Sequence, residues 1–327
     1  MNKLIEKLRA GEILCENDCE TFIDQVASDQ VSNIQLASIL TFLHLRGEQL
    51  EEMQGFARAL LSRSIQPDLD GTNAIDLCGT GGDNKNTFNI STTSSFVLAA
   101  MGYKVIKHGN YGVSSPCGSS TVLEALGITF STSSSELNNL LKNTNCCFLH
   151  APLFHPTLKK VAVVRKQLGF RTIFNALGPL VNPVQPAFQL TGTYSLELAR
   201  SYACLLKSKR TNYGITFGLN GFDELTLSCP TRIFGKQSDE IVSSRQYQLK
   251  QLDPQHLNAA LTPKANAEMI KRILRGEGDF AQHAVVAANV VEAIRIMEDN
   301  QPNRLDLFRE AMLFIESGQA AKTFKLN

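Results

Sequence analysis

The chain has 327 residues, 43% hydrophobic and 19% charged, with a formal net charge of +1 at pH 7. That balance belongs to an ordinary globular protein of one or two domains. It lacks the broad positive field of a nucleic-acid or membrane-surface binder, so an anionic ligand must be held by a local site.

The opening "MNKLIEKLRAGEIL" is amphipathic and charged from its third residue, which does not read as a signal peptide. No run approaches the roughly 18 apolar residues of a membrane-spanning helix. The first 65 residues predict helices only. "SNIQLASILTFLHLRG" places Ile34, Leu36, Ile39, Leu40, Leu43 and Leu45 on a broad apolar stripe, with Gly47 as its stop. "EQLEEMQGFARALLSRS" repeats the helical spacing, and "IQPDLDGTN" then breaks it.

Beyond that linker the texture changes. "AIDLC", "YKVIKH", "CCFLHA" and "YGITFG" are short apolar runs bounded by glycines. Helical patterns lie between them: "TSSFVLAAMG", "STVLEALG", "ELNNLLKN" and "LELARSYACLLKSK". Alternation of strand and helix predicts a mainly parallel sheet flanked by helices. Two further helices, "FAQHAVVAANVVEAIRIMED" and "NRLDLFREAMLFIESG", close the chain. The expected fold is therefore α/β. A small helical N-terminal domain, 1–70, leads into a larger α/β domain, 71–327. The eight cysteines, at 15, 19, 78, 117, 146, 147, 204 and 229, form no CxxC pair and no Cys/His metal spacing. They read as reduced thiols of a cytoplasmic protein.

The stretch "DLCGTGGDNKNTFNIST", Asp76 to Thr92, follows the first strand of the sheet. Glycines at 79, 81 and 82 let backbone amides converge into an anion nest. A helix expected to start at Ser91 or Thr92 would add its positive end. Two such devices suit a ligand with more than one phosphate, although a tight strand-to-helix turn would also use these glycines. A Walker loop and a complete GxGxxG fingerprint are both absent. After the next strand, Lys107, His108 and Asn110 share the same sheet edge, and Lys107 offers a point charge to phosphate. Ser114, Ser115, Ser119 and Ser120 surround another glycine, and Thr121 with Glu124 fits a capping box. Arg165 follows His155 by ten residues, so a helix from Pro156 could turn both toward one cleft. Its guanidinium suits a carboxylate, although a solvated surface arginine is the commoner case. Adjacent Asp223 and Glu224 suit Mg²⁺, although paired acids in turns are common.

Taken together, these stretches resemble the anthranilate phosphoribosyltransferase family. The pieces are "GTGGD" at 79–83, "TFNIST" at 87–92, "KHGN" at 107–110, "GSSTVLEALG" at 118–127, "APLFHP" at 151–156, "VRKQLGFRTIFNALGPLVNP" at 164–183 and "FDE" at 222–224. The resemblance implies transfer of phosphoribose from phosphoribosyl pyrophosphate (PRPP) to the amine of anthranilate, with Mg²⁺, in tryptophan biosynthesis. It implies a helical domain hinged to the α/β domain, joined by a segment near 165–185, and a homodimer through the helical domains. It places PRPP on Gly79, Gly82, Asp83, Thr87, Asn89, Ile90, Ser91, Thr92, Lys107 and Ser119, and on His108, Gly109, Asn110, Tyr111, Gly112, Val113, Ser114 and Ser115. It places anthranilate on Gly79, Asn110, His155 and Arg165, with His108 near, and metal on Ser91, Asp223 and Glu224. No general base is required; His108 is the candidate.

Two departures stand out. Tyr111-Gly112 replaces an arginine and a small residue, and Pro116-Cys117 replaces Lys-Ser. Two positive charges are thereby lost, which predicts weaker substrate affinity or greater Mg²⁺ dependence, with the Tyr111 hydroxyl left as a donor. The competing enzyme reading is a pyrimidine nucleoside phosphorylase of the same fold, which has no need of the Asp223-Glu224 pair. A nucleic-acid-binding relative is disfavoured by the charge of +1. A scaffold protein with a decayed site is disfavoured by the complete polar set.

Overall fold

Four helices begin the chain: α1 (Asn2–Arg9), α2 (Glu16–Ala27), α3 (Asn33–Arg46) and α4 (Leu50–Ser62). The computed structural model describes residues 1–112, 117–207, 212–298 and 302–326. Ser32 caps α3, its hydroxyl accepting from the Gln35 amide at 3.2 Å, and Gly47 ends the helix as the sequence predicts. Strand β1 (Ala74–Leu77), α5 (Ile90–Ala100), β2 (Lys104–Gly109), α6 (Ser119–Ala125), α7 (Ser134–Thr144) and β3 (Cys146–His150) follow. Next come α8 (Ala151–Phe154), α9 (Leu158–Leu168), β4 (Phe188–Gly192), α10 (Leu196–Lys207) and β5 (Asn212–Gly218). The chain then runs through β6 (Thr231–Gly235), β7 (Asp239–Val242), α11 (Pro263–Leu274), α12 (Phe280–Met297), α13 (Arg304–Glu316) and α14 (Gln319–Phe324).

The chain divides into two compact units, one of residues 1–67 and 151–183, the other of 68–150 and 184–327. In the smaller unit, α2 packs on α4, and α3 packs on α1 and α9. Phe22, Phe56 and Phe174 form its aromatic centre, with ring centroids 5.5 to 6.4 Å apart. Glu52 is fully buried there, accepting from the Leu14 amide at 2.8 Å and pairing with Arg46. Burial of that carboxylate is tolerable because both of its oxygens are engaged.

The larger unit is built on a seven-stranded sheet of order β3-β2-β1-β4-β5-β6-β7. The first five strands are parallel, and β6 and β7 continue the sheet antiparallel. Leu77 pairs with Leu190, and Gly109 with His150, so β1 to β4 end on one edge. Helix α12 is apolar nearly all round and packs on α5, α13, β4 and β5. The β6–β7 hairpin escapes a reading by apolar runs because "TRIFGKQSDEIV" interleaves charge with apolar residues at the sheet margin. Arg232 and Asp239 pair across it at 2.6 to 2.8 Å. All eight cysteines are free thiols. Among the described residues, no helix is long and apolar enough to cross a membrane.

Candidate active site

The site is best built from the end of β1. Three bare residues let the chain double back there, with Gly81 and Gly82 at φ +62° and +80°, a region that costs most side chains energy. The turn brings the Gly81 amide 3.0 Å from Asp223 Oδ2, across 142 residues of sequence. The Ser91 amide, at the start of α5, donates to Glu224 Oε1 at 2.8 Å. One loop and one helix start thus hold both members of the acid pair. The far end of the glycine loop is pinned too, by Phe88 N to the Leu257 carbonyl at 2.8 Å and by a Thr87–Asn258 bridge.

These acids sit in an unfavourable field. Burial, then the charges of Glu224 and Asp83, raises the Asp223 carboxyl well above the usual carboxylate range. Burial likewise raises Asp83 and pushes Glu224 up to about 7, against the pull of the Ser91 amide and Lys107. Lys107, 3% exposed, donates to the Leu77 carbonyl and, at 3.2 Å, to Ser91 Oγ. Three acids crowded with one ammonium leave room for more positive charge. Among the described residues, no three His, Cys, Asp or Glu side chains form a metal-ligand set. Magnesium does not require one, since it takes one or two carboxylates and completes its shell with water and phosphate oxygens. The donors of Ser91, Asp223 and Glu224 are all oxygen, and so fit the ion.

Two polar atoms beside them lack partners. Asn89 Oδ1 and Thr92 Oγ1 are buried with no hydrogen bond among the described residues. Buried orphans of this kind mark a place for a ligand or water. Helix α5 starts at Ile90, with Asn89 in the capping position, earlier than the sequence predicts. Asn89 makes no capping bond; its Nδ2 donates instead to the Cys117 carbonyl at 3.1 Å.

On β2, His108 is buried, and its amide donates to Asp76 Oδ1 at 3.2 Å. A lone acid inside the apolar run "AIDLC" is the signal in the sequence that could have found this contact. Asn110 is exposed, its side-chain oxygen accepting from the Tyr111 amide at 2.7 Å. The Tyr111 hydroxyl donates to Glu124 Oε1 at 2.9 Å, which corrects the expectation of a donor left for substrate. The same contact removes Glu124 from the predicted capping box with Thr121. Helix α6 begins at Ser119 behind its cap Gly118, three residues earlier than a Thr121 cap would set it. Val113, Ser114, Ser115 and Pro116 lie outside the described residues.

In the smaller unit, α9 begins at Leu158, two residues later than the helix expected from Pro156, and His155 lies in the turn before it. His155 is buried, its Nε2–H donating to the Val181 carbonyl at 2.7 Å. Arg165 is half-buried, and its Nε has no partner among the described residues. Burial pushes its pKa down to about 10, which still leaves it charged at pH 7. A desolvated guanidinium with an unpaired Nε is poised to receive an anion.

The family models bear on both parts of the chain. The glycosyl transferase family a/b domain matches residues 71–321, and that family's helical bundle domain matches 2–64. The chain is 43% identical over 325 residues to anthranilate phosphoribosyltransferase of Christiangramia forsetii, across 99% of this chain and 98% of that relative. Identity to the Flavobacterium johnsoniae protein of the same name is 40% over 326 residues, with the same shares covered. Among solved structures, it is similar to anthranilate phosphoribosyltransferase from Thermus thermophilus. The TM-score is 0.89 at 30% identity, over 98% of this chain and 97% of that one. The Saccharomyces cerevisiae enzyme in complex with PRPP and Mg gives 0.89 at 26% identity, over 99% and 95%. With both domains matched and nearly the whole length aligned, the chain belongs to the anthranilate phosphoribosyltransferase family of glycosyl transferases.

Proposed function

We propose that this protein transfers the phosphoribosyl group of PRPP to the amine of anthranilate, giving N-(5-phosphoribosyl)anthranilate and pyrophosphate in tryptophan biosynthesis. The observation that carries the reading is the Asp223–Glu224 pair, tied by backbone amides to the glycine loop and the start of α5. A nucleoside phosphorylase handles inorganic phosphate and has no use for such a pair. Ser91, Asp223 and Glu224 would hold Mg²⁺, which would supply charge neutralisation for the departing pyrophosphate. Lys107 and the Gly79, Gly82 and Asp83 amides bind the phosphates, while the unpartnered Thr92 hydroxyl can donate to them and Asn89 Oδ1 can accept from a sugar hydroxyl. The arylamine of anthranilate is neutral at pH 7, so it requires placement and no base for activation. Its nitrogen bonds to the anomeric carbon as the carbon–oxygen bond to pyrophosphate breaks. The resulting ammonium then loses a proton, for which His108 is the candidate acceptor. Loss of anthranilate fluorescence that requires both PRPP and Mg²⁺ is the expected result; no loss at any Mg²⁺ concentration would refute the assignment.

Arg165 holds the anthranilate carboxylate. Arg165→Ala is expected to raise the Michaelis constant for anthranilate by roughly 10- to 100-fold, the worth of a charge-assisted hydrogen bond. Its effect on turnover is expected to be small. Steady-state kinetics check this, and unchanged anthranilate kinetics would remove Arg165 from the site.

We further propose a homodimer through the helical unit. Ile34 and Leu45, on α3, are 80% and 76% exposed, and eleven residues of separation put them on one face. Light scattering should give a dimer mass for the native chain and a monomer mass for Ile34→Asp/Leu45→Asp. A dimer that survives the double change would place the interface elsewhere. The eight free thiols support a reducing, cytoplasmic setting.

A further inference from the structure

One buried pair in the α/β unit, His150 and Ser120, lies outside the residues assigned to the proposed reaction. His150 closes β3 and is 6% exposed. Its ring stacks on Phe130, with centroids 4.6 Å apart, and meets Tyr111 edge-on at 4.7 Å. Its Nδ1 lies 2.7 Å from Ser120 Oγ. Ser120 is itself buried, as the second residue of α6, and its amide donates to the Asn110 carbonyl at 3.1 Å. Ser119 Oγ donates to the same carbonyl at 3.2 Å. Gly118 completes the junction, since a Cβ there would lie 2.0 Å from the Gly112 nitrogen. The start of α6 and the turn at Asn110–Gly112 are therefore locked to each other, and His150 grips the lock from the strand beneath.

The chemistry of the grip is specific. A buried hydroxyl and a buried imidazole nitrogen satisfy each other, and removing either strands the other. Burial lowers the His150 pKa, with Glu124 acting in the opposite sense, so the neutral ring that makes this bond is the form present at neutral pH. Stacking alone would be served by any aromatic side chain. The hydrogen bond requires a nitrogen or oxygen at the Nδ1 position, and it leads directly to two residues of the proposed phosphate site, Ser119 and Asn110.

We propose that His150 is a positioning residue for the PRPP site, acting through Ser120 to hold the Asn110–Gly112 turn and Ser119 where the anionic substrate is received. The inference rests on the transferase reading. It is tested by calorimetric titration of PRPP with Mg²⁺, alongside steady-state kinetics, on native protein, His150→Phe, His150→Asn and Ser120→Ala. His150→Phe keeps the ring stack and loses the hydrogen bond. The expected result is a roughly tenfold rise in both the Kd and the Michaelis constant for PRPP, the effect of one stranded buried polar group. Turnover should hold, and the Michaelis constant for anthranilate, which shares Asn110, should rise by a smaller factor than that for PRPP. His150→Asn, whose amide occupies the Nδ1 position, should recover most of the loss. Combining Ser120→Ala with His150→Phe should add nothing, because both remove one interaction. A folded His150→Phe protein with native PRPP affinity would overturn the proposal, as would a lowered Tm with unchanged Kd or additive losses in the double variant. If native protein binds PRPP but leaves anthranilate unconsumed, the transferase reading fails while the calorimetric comparison still decides the role of His150.

Discussion

Asp223→Asn is expected to lower turnover by roughly 10²- to 10³-fold, the scale of losing one preorganised electrostatic contact to a developing charge. The substitution is nearly isosteric. Its amide oxygen can still accept from the Gly81 amide, so the 3.0 Å tie between the glycine loop and residue 223 is preserved. What is lost is the negative charge offered to a cation. Stability should move the other way. The Asp223 carboxyl is raised above its unfolded value, first by burial and then by Glu224 and Asp83. A group raised in this sense stabilises the fold fully below its unfolded pKa, and that contribution is lost as pH rises through the folded pKa. At pH 8 the native protein therefore bears the cost of burying this acid beside Glu224 and Asp83, a cost that asparagine removes. Thermal unfolding at pH 8 should show an equal or higher Tm for Asp223→Asn, while kinetics at saturating Mg²⁺ show the loss. Such opposition is the usual mark of a residue kept for chemistry at the expense of stability. Turnover within threefold of native would exclude Asp223 from the site.

Arg304→Met should destabilise the α/β unit by about 3–5 kcal/mol, the cost of leaving a buried charge without its partner. Arg304 begins α13 and reaches Glu292 of α12 at 2.6 and 3.2 Å and Glu240 of β7 at 2.7 Å. Glu292 is 4% exposed and also accepts from the Tyr247 hydroxyl at 2.7 Å. Methionine matches the arginine stem in length but supplies no donor, so Glu292 keeps one partner in a setting that water cannot relieve. The double variant Arg304→Met/Glu292→Gln should recover much of the loss, because the stranded charge is gone. Urea unfolding of the single and double variants measures both numbers. A single-variant change under about 1 kcal/mol would mean that Arg304 behaves as an ordinary surface ion pair.

The sequence alone determined those features that depend on neighbours along the chain. Ser32 and Gly47 mark the ends of α3 because caps and stops are local chemistry. The runs "AIDLC" and "CCFLHA" read as strands because β1 and β3 are buried on both faces, which makes them apolar but for Asp76 and His150. The glycines after β1 and the acids at 223 and 224 were legible as devices for phosphate and metal, and the ordered set of stretches was legible as a family. Tertiary structure alone decided what depends on residues distant in sequence. It placed Asp223 on the Gly81 amide and Glu224 on the Ser91 amide. It turned the Tyr111 hydroxyl to Glu124 and set the start of the Arg165 helix at Leu158 in place of Pro156. It joined His150 to Ser120 across 30 residues. The physical reason is the same in each case. Capping, turn and strand preferences are energies of a few neighbouring residues, whereas a buried hydrogen bond is assigned only when the folded chain has removed water and left each polar group to find its partner.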